Sequence, residues 1–143
     1  LRVVTDEEYA NAKAKVEEYS KDITKRRIMV WHQDAVNRYE RQKAGTATPY
    51  KMQLQAIRLG DIAITTNDFE LYTEFGVQMK SKSRALQTFV VQLAAPGTYV
   101  PTPRAERGGG YSAIIESNLV GAEGGQVLAD KTVEAVNALW PAQ

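Results

Sequence analysis

Leu54-Gln55-Ala56-Ile57-Arg58-Leu59-Gly60-Asp61-Ile62-Ala63-Ile64 sets two short apolar runs on either side of a Gly-Asp pair. Met52, Leu54 and Ala56 recur at every second position, the period of a strand with one buried face. The phase slips at Ala56-Ile57 and resumes at Ile57 and Leu59, as a β-bulge would make it. Gly60-Asp61 is a two-residue turn signal, and Ile62-Ala63-Ile64 reads as the returning strand of a hairpin. Downstream, Asp68-Phe69-Glu70-Leu71-Tyr72-Thr73-Glu74-Phe75-Gly76 changes the period. Glu70 to Lys82 reads as a helix with Tyr72, Phe75 and Met79 on one face, and Lys80 and Lys82 suit its C-terminal end.

Thr88-Phe89-Val90-Val91-Gln92-Leu93 is β-branched and nearly continuous, the pattern of a strand buried on both faces. From Ala94 to Tyr111 three prolines and four glycines predict an ordered, irregular loop. Gly121-Ala122-Glu123-Gly124-Gly125-Gln126 lacks the Gly-Lys-Ser/Thr ending of a phosphate loop and reads as the entry to a last helix. That helix is predicted over about Gln126 to Trp140, with Leu128, Thr132, Ala135, Val136 and Leu139 at helical spacing and Pro141 ending it.

Upstream of the hairpin lie two helical patterns. Thr5-Asp6-Glu7-Glu8 is a capping box, and Tyr9, Ala12, Val16, Tyr19 and Ile23 follow at three- and four-residue steps. Ile28, Trp31, Ala35 and Tyr39 mark the second helix, and Lys25-Arg26-Arg27 between them reads as a solvated corner. Ala44-Gly45-Thr46-Ala47-Thr48-Pro49 breaks the helix. The expected fold is α/β, a mixed β-sheet with packed helices, in which two N-terminal helices precede a strand hairpin. Its helical segment is 1–43 and its α/β segment 50–143, read as parts of a single unit.

At 143 residues and 43% hydrophobic, the chain is long enough for one ordinary domain with its own core. A net charge of +1 supplies no field that would steer nucleic acid or an anionic membrane. No apolar run approaches the roughly 20 residues of a membrane helix. The absence of cysteine excludes disulfides and thiolate metal sites. The opening Leu-Arg-Val-Val-Thr-Asp carries neither an initiator Met nor a signal peptide, and reads as the start of a fragment of something longer.

Three side chains stand out chemically. Glu70, in the first turn of the expected helix, is favoured there by the helix dipole whatever its function. The functional reading places it at the C-terminal edge of a buried strand, where α/β sites open, as a hard oxygen ligand to a divalent metal. Tyr99 and Tyr111 lie twelve positions apart, with prolines after the first and a glycine triplet before the second. Loop tyrosines commonly pack by the ring and satisfy one hydrogen bond. A phenol can also donate to a developing oxyanion or, beside a cation, act as a ligand. His32, the single histidine, reads as a packing residue, because one imidazole builds neither a multi-histidine metal centre nor a triad without partners.

The stretch Leu54 to Ala63 resembles the strand pair that precedes the metal-binding glutamate in the neutral/alkaline non-lysosomal ceramidases. Their Gly-Glu motif falls on Phe69-Glu70, their Tyr before a Thr-rich turn on Tyr99-Val100-Pro101-Thr102, and their later Tyr on Tyr111. The spacing of the two tyrosines matches, and Leu119 to Trp140 is similar to the helix that closes that domain. Members are zinc amidases that cleave the N-acyl bond of ceramide. The resemblance implies the C-terminal portion of such a catalytic domain, with Glu70 and Tyr99 as zinc ligands and Tyr111 as a catalytic hydrogen-bond donor near the scissile amide. It also implies an amide or ceramide-like lipid substrate and a secreted or periplasmic location. As partner it implies the N-terminal remainder of the parent protein, which carries the family's histidine ligands and active-site serine. The sequence departs from the family at Asp68-Phe69 (Pro-Gly there), at Ala94-Ala95-Pro96 (Asn-x-Tyr there) and at Ser112 (Glu there). A non-catalytic binding or structural module on the same scaffold is the alternative, and an autonomous helical-hairpin interaction domain a third.

Overall fold

The computed structural model describes residues 1–141 and divides the chain into two compact units, one of residues 1–49 and one beginning at Tyr50. In the first, α1 (Asp6–Ser20) starts at the capping box: Glu8 N–H donates to the Thr5 hydroxyl, and the Glu8 carboxylate accepts from Thr5 N–H. A single 3-10 turn at Ile23–Lys25 leads into α2 (Arg26–Lys43). The two helices pack on Ala12, Ala35 and Val36, and Tyr9 stacks on Tyr39 with ring centroids 4.1 Å apart. Ile23 lies outside that face, exposed in the 3-10 turn. His32 sits between the rings of Tyr19 and Trp31, at 5.8 and 5.4 Å.

In the second unit, β1 (Gln55–Leu59) and β2 (Ile62–Thr66) form the antiparallel hairpin. Gly60 takes φ +61°, the sign that the first central position of a type II′ turn requires. Pairing runs in unbroken register from Leu59↔Ile62 to Gln55↔Thr66, so the expected bulge is absent. The phase slip has another cause. Met52 and Leu54 precede the strand and pack on the core, while Ile57 and Leu59 point to the opposite face.

After β2 come the two-residue β3 (Glu70–Leu71), α3 (Thr73–Lys82), β4 (Gln87–Val91), the two-residue β5 (Tyr99–Val100), α4 (Pro103–Gly108) and α5 (Ala122–Asn137). β4 adds parallel to β2, giving a mixed three-stranded sheet in the order β1-β2-β4; β3 and β5 pair parallel in a second small sheet. The fold is α/β, with α3 and α5 packed on the inner face of the larger sheet. Phe69, Leu71, Phe75, Met79, Val100 and Leu128 form the buried centre. Among the described residues no helix is long and apolar enough to cross a membrane.

Three further expectations are corrected. β4 is an edge strand covered on one face, so Phe89 and Val91 are 48% and 44% exposed rather than buried on both sides. The 94–111 segment contains β5 and α4. Thr102 caps α4 by accepting from Ala105 N–H, and Pro103 occupies the first turn, where its missing donor costs nothing. The last helix begins four residues early, at Ala122 rather than Gln126. Gly125 lies inside it because a Cβ there would meet Phe75 and Val100 at 2.6 Å.

Ile57, Leu59, Phe89 and Val91 share the outer face of the sheet and are exposed. An uncharged patch of this kind is adhesive in water. The chain is expected to bind an apolar reporter dye such as ANS, and Ile57→Lys with Phe89→Lys should reduce the signal while leaving the far-UV CD unchanged. Equal dye binding by the double variant would locate the adhesive surface elsewhere.

Candidate functional site

Asn67, fully buried at the end of β2, builds the turn that delivers Glu70. Its side-chain oxygen accepts from Phe69 N–H at 2.9 Å, its amide donates to Val91 O at 3.3 Å, and its backbone joins Val91 and Ala94. Asp68 accepts from the Tyr50 hydroxyl at 3.0 Å, and Phe69 enters the core. Burial, reinforced by the Asp68 carboxylate, pushes the Tyr50 phenol up from its ordinary pKa.

Glu70 is in a strand, which corrects its expected place in the first turn of a helix. Its N–H donates to Thr98 O at 3.1 Å, and Tyr72 N–H donates to Val100 O at 3.2 Å. These ladder bonds fix residues 70–72 as extended chain, and α3 begins only at Thr73. The dipole of α3 is therefore not what holds the carboxylate there. Parallel pairing with β5 sets Glu70 directly beside Tyr99. The Glu70 carboxylate beside it, with smaller contributions from burial and from the neighbouring Tyr111 and Tyr72, raises the pKa of the Tyr99 phenol above the usual tyrosine value. The phenol is thus protonated at physiological pH.

Tyr111 arrives from the other side. α4 ends at Gly108, and Gly109 and Gly110 take φ +69° and +100°, a left-handed pair that reverses the chain at a cost only glycine avoids. The Tyr111 ring then meets the Tyr99 ring edge-on, with centroids 6.1 Å apart, and is 69% exposed. Glu70, Tyr99 and Tyr111, separated by up to 41 positions in the chain, stand together at one exposed corner.

Sequence reasoning missed two members of this corner. Tyr72, taken for a residue on the buried face of a helix, stands at the helix cap with its hydroxyl 2.7 Å from Ser112 Oγ. Ser112 supplies that partner. A cleft of about 180 Å³ opens beside Tyr72, lined mainly by Leu71, Gly76, Val77 and Val90, with Thr73, Lys80 and Gln92 as its polar members. Among the described residues no cluster of three or more histidine, cysteine, aspartate or glutamate side chains has metal-binding geometry. Chemically, the corner offers one carboxylate, two phenols within reach of each other and an exposed approach. Comparison with family models, with curated proteins and with solved structures gives no match to this chain.

Proposed function

We propose that this chain is the C-terminal part of a neutral ceramidase-like zinc amidohydrolase, whose parent cleaves an N-acyl, lipid-type amide bond. The observation that carries the reading is the meeting of Glu70, Tyr99 and Tyr111, the residues on which the family's motifs fall. Glu70 and Tyr99 present two hard oxygen donors on paired positions of adjacent strands, and that pair fits part of a catalytic zinc's protein ligand set. Zinc bound there would polarise the amide carbonyl and lower the pKa of a bound water. The exposure of the corner leaves room for the parent's histidine ligands to complete the set.

The chain's own residues then have separate tasks. Glu70 stands beside the Tyr99 phenol, and a cation held between the two oxygens would displace the phenolic proton. Tyr111, exposed and edge-on to Tyr99, can turn its hydroxyl toward an amide oxygen and donate as negative charge develops there. The cleft beside Tyr72, with its mainly aliphatic walls, suits the hydrocarbon of an acyl amide. A non-catalytic module remains the competing reading, and it is favoured by Phe69 and Ser112, which stand where the family has glycine and glutamate.

Short-chain fluorescent ceramide and other N-acyl amides offered to the parent protein test the reading; hydrolysis of at least one of them is expected. The isolated chain should turn over none, and should bind zinc weakly or not at all by calorimetry, since two oxygen donors fall short of the usual three protein ligands. Tight stoichiometric zinc in the isolated chain that survives Glu70→Ala would show that other residues are the ligands.

A further inference from the structure

Ser117 and Asn118, both buried, and the half-buried Leu119 form a crossing point between the segments that carry the two tyrosines. Asn118 is 0% exposed, and its single amide nitrogen donates to two backbone carbonyls, Tyr99 O at 3.1 Å and Ser112 O at 2.9 Å. The Ser117 hydroxyl donates to Tyr111 O, and Leu119 N–H donates to the Thr98 hydroxyl at 3.0 Å. One three-residue segment therefore grips the backbone on both sides: residues 98–99, which carry one phenol, and residues 111–112, which carry the other. These contacts span the twelve-residue excursion through α4 and the glycine pair. A buried amide is costly unless its hydrogen bonds are made, and here they are made to the two segments whose relative position matters.

We infer that Asn118 is the positioning residue of the site: its amide ties the Tyr99 and Tyr111 segments together and so sets the distance between the two phenols. The inference rests on Tyr99 and Tyr111 being the working side chains, as read above. The Asn118 amide acts on the backbone that carries each ring, through the Tyr99 and Ser112 carbonyls. The isosteric substitution Asn118→Asp would keep the shape of the side chain and offer oxygen lone pairs to two carbonyl oxygens, so the clamp becomes a repulsion.

The test is an inter-ring NOE between Tyr99 and Tyr111 in the tyrosine-labelled 143-residue chain, followed in Asn118→Asp and in the milder Ser117→Ala. Wild type should show the cross-peak, since the ring centroids are 6.1 Å apart. Asn118→Asp should lose it while far-UV CD and amide dispersion remain native, and Ser117→Ala should weaken it. A lowered Tm with the cross-peak intact would reduce Asn118 to a structural residue and overturn the inference. If Asn118→Asp does not fold, Ser117→Ala decides alone, and an undiminished cross-peak there overturns the inference. In an active parent, Asn118→Asp should lower kcat on the order of 10²-fold, the scale for misplacing a reacting group by about 1 Å, with KM little changed. An unchanged kcat overturns the inference. A parent inactive on every amide, with the cross-peak lost as expected, sinks the amidase reading and leaves the positioning role standing.

Discussion

On the proposed amidase reading, Tyr111→Phe in the parent protein is expected to lower kcat for N-acyl amide hydrolysis by about 10²–10³-fold, the usual loss when one preorganised oxyanion donor is removed. The substitution is a clean probe at this position. The Tyr111 ring is 69% exposed and meets Tyr99 edge-on, so Phe keeps the ring contact and opens no cavity. The lost free energy, about 2.7–4 kcal/mol at the barrier, would then belong to the hydroxyl alone. KM should change little, because the donor is needed only as charge develops on the oxygen. Glu70→Ala is the companion measurement. It removes a ligand on the proposed reading, and should abolish activity together with zinc binding in the parent. Activity that ignores both substitutions would place the chemistry elsewhere in the protein. A parent inactive on every amide tried would favour the non-catalytic module, and the Asp68-Phe69 turn that aims Glu70 would be the first difference to examine.

The local signals in the sequence that carried were those with strong short-range chemistry. The Thr5/Glu8 capping box, the Gly60-Asp61 turn and the Phe75/Met79 face of α3 each depend on residues within one turn of one another. What was illegible depends on contacts across the chain. β3 and β5 are two residues each, too short for any period to register, and they exist because Phe69 and Val100 are drawn into one core. Glu70 was read as helical for the same reason: its neighbours Leu71 and Tyr72 fit a helical face equally well until the ladder bonds to Thr98 and Val100 decide the matter. α4, by contrast, left a usable trace. Thr102-Pro103 is a capping residue followed by a first-turn proline, and it was passed over amid the surrounding glycines. The two glycines inside α5 pushed the expected start of that helix too late, although Gly125 is there to admit Phe75 and Val100.

The candidate residues stood out in the sequence, while their geometry did not. Glu70, Tyr99 and Tyr111 were picked out by motif spacing, and the fold brings them to one corner. The support beneath them was invisible. Nothing in Glu116-Ser117-Asn118-Leu119 distinguishes a buried clamp from a polar loop, because the partners of Asn118 are backbone carbonyls six and nineteen positions away. Asn67 is a similar case, since its role depends on where Val91 ends.

Gly97→Ala should be among the most damaging single-atom additions in the second unit. A Cβ on Gly97 would stand 1.9 Å from Asp68 O, 2.6 Å from Asp68 C and 3.2 Å from Phe69 Cα. All three are backbone atoms, so no rotamer change relieves the clash. The chain at 96–98 has to back away from 68–69, and that movement pulls on the Thr98 carbonyl that receives Glu70 N–H. Overpacking of this kind typically costs about 1–3 kcal/mol, and rigid backbone on both sides puts this site at or above the upper end of that range. Against a stability of about 5–15 kcal/mol for an ordinary domain, the loss should appear as a clear fall in the urea midpoint with little change in m-value. Gly60→Ala supplies the contrast. Its Cβ meets nothing within 4 Å, and its cost comes from φ +61° alone, about 1–2 kcal/mol for a left-handed L-residue. The two should also differ in what they disturb. Gly60→Ala should leave the Tyr99–Tyr111 cross-peak at full strength, whereas Gly97→Ala should weaken it, because residues 97–99 carry β5 into the site. A Gly97→Ala unfolding free energy within about 0.5 kcal/mol of wild type, the range of an ordinary surface substitution, would mean that the 68–97 approach is looser than the structure has it, and the close pairing of Glu70 with Tyr99 would lose its steric reason.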